Sequence, residues 1–101
     1  MTSVEHTVKH WRLSIRRGFL NVIERWLTNG ANQNVVDENG NTLLHLAIAS
    51  GNKKIVLLFL EHDADPNACN DDGNTPLHLA ITSHNEEIVR LLLKCLADPN
   101  A

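Results

Sequence analysis

GNTLLHLAIASGNKKIVLLFLEHDADPNA, residues 40–68, returns 33 positions later as GNTPLHLAITSHNEEIVRLLLKCLADPNA, residues 73–101, with 19 of the 29 aligned pairs identical. A chain that repeats at a fixed period of this size is built from stacked supersecondary units, each burying the same face against its neighbour. The identities fall where a helix pair needs them. Thr42, Leu44, His45, Leu46, Ala47 and Ile48 recur as Thr75, Leu77, His78, Leu79, Ala80 and Ile81. Past a turn, Ile55, Val56, Leu58 and Leu60 recur as Ile88, Val89, Leu91 and Leu93, an apolar face at helical spacing.

The same register extends backwards into a degenerate first unit. Leu13, Ile15, Gly18, Leu27, Ala31 and Asn34 align with Leu46, Ile48, Gly51, Leu60, Ala64 and Asn67, whereas Lys9-His10-Trp11-Arg12 replaces the Thr-led head. Three units fill the chain, at about 4–36, 37–69 and 70–101. The third keeps the full apolar set Ile88, Val89, Leu91, Leu92 and Leu93 and adds Leu96, with no polar capping face. Terminal units of a solenoid normally carry such a face, so we expect further repeats beyond it, or a cover formed by self-association or a docked partner.

Caps and breakers predict the helices. Thr42 and Thr75 stand at N-cap positions, with first helices running to about Ser50 and Ser83. Second helices are expected over about 53–62 and 86–95. Gly51 closes a first helix; His84, in the equivalent place, must enter the left-handed region at some cost. Asp63 and Leu96 occupy the position of Gly30, and Leu96 is expected to be the most strained. Trp11 and Trp26 align with core leucine and phenylalanine positions, while Phe19 aligns with Asn52 and Asn85 and is expected to cover the first unit or make an exposed contact.

The chain has 43% hydrophobic and 21% charged residues, ordinary values for a folded domain. No apolar run approaches the length of a membrane span, and the start lacks a signal-peptide pattern. Cys69 and Cys95 form no C-x-x-C pair and read as free thiols of a reducing, intracellular compartment, cytoplasmic or nuclear. Residues 1–33 sum to +3 and residues 34–101 to −6, for an overall charge of −3 that disfavours sequence-independent nucleic-acid binding. Arg12, Arg16 and Arg17 form a local basic stripe that reads either as a contact for an acidic partner or as a solvated helix face.

Catalytic readings find little support. The six histidines show no H-E-x-x-H motif; His45 and His78 are repeat equivalents, and His6, His10, His62 and His84 stand singly outside the repeat pattern and read as surface residues. The five glycines mark repeat punctuation rather than a phosphate loop or nucleophile elbow. A metal-dependent or thiol enzyme is therefore the remote alternative, and no cofactor is expected.

The period of 33 with heads Thr42-Leu43-Leu44-His45 and Thr75-Pro76-Leu77-His78 resembles the ankyrin-repeat family over residues 9–101. The resemblance implies an all-α solenoid of three helix–turn–helix units with short β-turn connections. It also implies that the two histidines hydrogen-bond near their threonine hydroxyls, and that the chain binds another protein, with no nucleic acid and no membrane. Partner-binding positions would be the tips Glu38, Asn39, Asn41, Asp71, Asp72 and Asn74 and the inner-helix residues Arg16, Arg17, Ala49, Ser50, Thr82 and Ser83. A narrower role implied by the likeness is that of a transcription-factor inhibitor resembling the NF-κB inhibitors.

Overall fold

In a computed structural model, which describes residues 8–97, the expected threonine caps begin the two best-defined repeats. Thr42 Oγ1 accepts from the His45 backbone N–H, while His45 Nδ1 accepts from the Thr42 backbone N–H. Thr75 and His78 repeat this reciprocal cap, with Pro76 at the first helical position, where its missing N–H is harmless. These heads open α3 (Leu43–Ser50) and α5 (Pro76–Thr82). Asn52 and Asn85 then cap α4 (Lys53–Glu61) and α6 (Glu86–Ala97) through their side-chain oxygens. The first unit supplies α1 (Val8–Arg16) and α2 (Leu20–Thr28).

α3 packs on both α1 and α5, and α4 on both α2 and α6, giving an inner row α1-α3-α5 and an outer row α2-α4-α6. The core runs continuously between the rows through Ile15, Ile23, Leu44, Ile48, Ile55, Val56, Phe59, Ile88 and Leu92. Trp11 is fully buried and meets Trp26 edge-on, ring centroids 5.1 Å apart, with Phe59 at 5.9 Å. The first unit thus replaces its missing head with aromatic packing. Trp26 is half-buried against this core. Phe19 stands at the N-cap of α2, where the other units use asparagine; it makes no side-chain cap bond and is 46% exposed.

Two expectations about strain divide. His84 and Asp63 do take positive φ, at 59° and 67°. Leu96 does not: α6 continues through it to Ala97, beyond the expected end at residue 95. A bulky residue is far less costly in a further helical turn than in the left-handed conformation that would close the helix. The tail Asp98-Pro99-Asn100-Ala101 and His6 lie outside the described residues. His10 and His84 are exposed, but His62 is half-buried rather than at the surface, its carbonyl accepting from Gln33 Nε2 at 2.6 Å.

Repeat-equivalent residues differ sharply in burial at the end of the stack. Ile48 is 1% exposed, whereas Ile81 is 54% exposed. His45 is fully buried and His78 is exposed. The face that unit two buries against unit three is the face that unit three leaves to solvent.

Candidate functional site

The turn tips are held by asparagine and aspartate side chains. Asp37 Oδ1 accepts from the backbone N–H groups of Asn39 and Asn41, each at 2.9 Å, folding residues 37–41 into a tight turn closed by Gly40 at φ 76°. Asn70 does the same in the next tip, accepting from the backbones of Asp72 and Asn74 at 3.0 Å. The tips are then sewn together. Asn70 Nδ2 donates to Asn41 Oδ1 at 2.8 Å, and the Asp71 N–H donates to the Asn39 carbonyl at 2.9 Å. His45 Nε2 lies 2.8 Å from the Asn74 carbonyl, so it carries the proton, leaving Nδ1 to accept from the Thr42 hydroxyl at 2.8 Å.

Charge is distributed unevenly over this surface. Arg12 reaches from α1 to Asp37 at 3.2 Å and Glu38 at 3.1 Å. Burial works to raise the Asp37 carboxyl pKa, but the backbone and side chain of Asn41, the backbone of Asn39 and the Arg12 charge outweigh it and hold the group below its ordinary range. Glu38 is also lowered, by its own backbone N–H and then by Arg12. Arg12 therefore does not belong to a free basic stripe, because its charge is taken up within the chain. Arg16 and Arg17 are exposed and, among the described residues, form no ion pair.

The remaining positions expected to bind a partner are placed as follows. Ala49, Ser50, Thr82 and Ser83 are all exposed at the ends of α3 and α5. The three hydroxyls donate back to their own helices, Ser50 to the Ala47 carbonyl, Thr82 to that of His78 and Ser83 to that of Leu79. Glu38, Asn39, Asp71, Asp72 and Asn74 are exposed at the tips, and Asn41 is half-buried in the tip ladder. Asp71 also lies against Gly40, where any side chain would collide with it. Reading the sequence missed Asp37 and Asn70, the residues that shape both tips. Their signal was an Asx residue three positions before glycine in Asp37-Glu38-Asn39-Gly40 and Asn70-Asp71-Asp72-Gly73.

Among the described residues no cluster of histidine, cysteine and carboxylate could hold a metal, and no helix is long and apolar enough to cross a membrane. No curated protein matches this sequence. A family model for ankyrin repeats, in three copies, matches residues 12–101. Period, paired helices, reciprocal threonine–histidine caps and this match agree, and the chain belongs to the ankyrin-repeat family.

Proposed function

We propose that this chain is a non-enzymatic module that binds a partner protein across its turn tips and inner helices. Ankyrin repeats are in general protein–protein interaction modules. The observation that carries the reading here is the division of labour among surface residues. Asp37, Asn41, Asn70 and His45 are committed to holding the tips, while Asp72, Thr82, Ser83, Ala49, Arg16 and Arg17 lie exposed beside them. Residues that specify a stack must repeat, and a contact surface need not. The position of Ala49 is occupied by a different residue, Thr82, in the next unit. The two free thiols, Cys69 and Cys95, support a reducing compartment, cytoplasm or nucleus. No residue favours transcription-factor sequestration over other protein binding.

The test is affinity capture from a native lysate, followed by titration of the captured protein. The combined substitution Asp71→Lys and Asp72→Lys should weaken binding and its salt dependence while leaving helicity unchanged, since exposed charges contribute little to stability. Asp72→Lys alone should retain most of the effect, because it avoids the contact with Gly40. Binding unchanged by these variants and by Ala49→Arg would show that the tips and inner helices are not the contact surface.

A further inference from the structure

The inner row does not present one uniform surface. Between α1 and α3 lies an open groove of about 370 Å³, lined by Arg12, Ile15, Arg16, Leu46, Ala49 and Ser50. Ile15, Leu46 and Ala49 make part of it aliphatic. Its two arginines, one helical turn apart on α1, have different fates. Arg12 is clamped by Asp37 and Glu38 at the tip end of the groove. Arg16, at the other end, has no carboxylate partner among the described residues, and exposed Arg17 follows it. The next pair of inner helices carries no arginine: the positions of Arg16 and Arg17 are Ala49 and Ser50 at the end of α3, and Thr82 and Ser83 at the end of α5.

We propose that this groove selects the chemistry of the partner: a segment with an apolar side chain seated over Ile15, Leu46 and Ala49, and an adjacent aspartate or glutamate paired with Arg16. The inference rests on the inner-face reading above and adds the identity of the occupant. Charge complementarity commits it. A basic segment would meet Arg16 and Arg17 unscreened, and the nearby acids that could have welcomed it, Asp37 and Glu38, already hold Arg12. A neutral apolar segment would leave the guanidinium of Arg16 beside the contact without a partner, losing the bidentate pairing that arginine offers a carboxylate.

A random-peptide phage library panned on the whole chain tests this. Enriched peptides should carry Asp or Glu next to Leu, Ile or Met, and a synthetic peptide of that kind should lose about tenfold in affinity on Arg16→Gln, a change that removes charge and keeps the helix. Changing the peptide's acid to its amide should cause a similar loss in the parent protein and almost none in Arg16→Gln. Enrichment of neutral or basic peptides that are lost on Ala49→Arg would overturn the acidic partner while leaving the inner-face reading intact. Peptides indifferent to both Ala49→Arg and Arg16→Gln would sink both readings. No enrichment at all would show that this groove takes no extended segment.

Discussion

At the scale of single residues, the two threonine–histidine heads are the same in sequence and unequal in consequence. His45 is fully buried, caps α3 and donates across to the Asn74 carbonyl of the next unit. His45→Ala removes a buried ring and its three hydrogen bonds, and should lower stability by about 2–4 kcal/mol in denaturant titration. His78 makes the same cap, but it is exposed, and among the described residues its Nε2 meets no protein group. Its replacement by alanine should cost only about 0.5–1 kcal/mol, the worth of a capping interaction, rather than that of a buried hydrogen bond. The threonine cap was legible from its place before the apolar run, and the histidine's part in it from the likeness to ankyrin repeats. The burial was not, because it depends on whether another unit follows in space, which a residue's own repeat cannot specify.

Asp37 shows the opposite case, a residue whose role the repeat concealed. Its counterpart Asn70 shapes a turn equally well but carries no charge, so the alignment reads the position as merely polar. In the fold its side chain is 4% exposed and accepts from Asn41 Nδ2 and Arg12 at one oxygen and from two backbone amides at the other. Its pKa in the fold lies below the ordinary 3.8. The resulting stabilisation is complete above that value and is lost as pH falls through the lower folded value. Asp37→Asn should therefore destabilise the chain by about 1–2 kcal/mol at neutral pH, since an amide would point a donor at Asn41 or Arg12. It should also flatten the decline in stability below about pH 4.

At the scale of elements, each helix is as well made as its cap. α4 and α6 begin with Asn52 and Asn85, whose side chains accept from the third backbone N–H beyond them. α2 begins with Phe19, which supplies no acceptor. Phe19→Asn should raise stability by about 1 kcal/mol in thermal or denaturant unfolding, unless the half-exposed ring contributes comparable packing. A fall in stability on that substitution would assign the ring to the core. The outer helices also alternate in charge from one unit to the next. Lys53 and Lys54 become Glu86 and Glu87 in the next unit, and Lys53 lies 3.5 Å from Glu87. Strict repetition would have stacked like charges between α4 and α6. The pair itself is exposed and adds little stability, but the alternation removes a repulsion.

At the scale of the whole molecule, which measures 44 × 28 × 24 Å, the three units are covered unequally. Unit two is packed on both sides: Leu44, Ala47, Ile48 and Val56 are at most 1% exposed. Unit three is packed on one side only, and Ile81 and Leu93 are 54% and 50% exposed. In a solenoid stability is approximately a sum of unit terms and nearest-neighbour interfaces, so unit three, which like unit one packs on a single neighbouring unit here, opens before unit two. Its strained turn at His84, φ 59°, works in the same direction. Amide hydrogen exchange should therefore show α3 and α4 protected close to the global unfolding free energy, with α5 and α6 exchanging faster through local opening from residue 84 onward. If a second copy covers the exposed face, that gradient should shrink as protein concentration rises, and the mass in sedimentation should rise with it. Introducing lysine at Ile81 should then abolish the concentration dependence while leaving the gradient of the isolated chain in place. Equal protection of the second and third units in a strictly monomeric sample would show that the interface between them is strong enough to need no further cover.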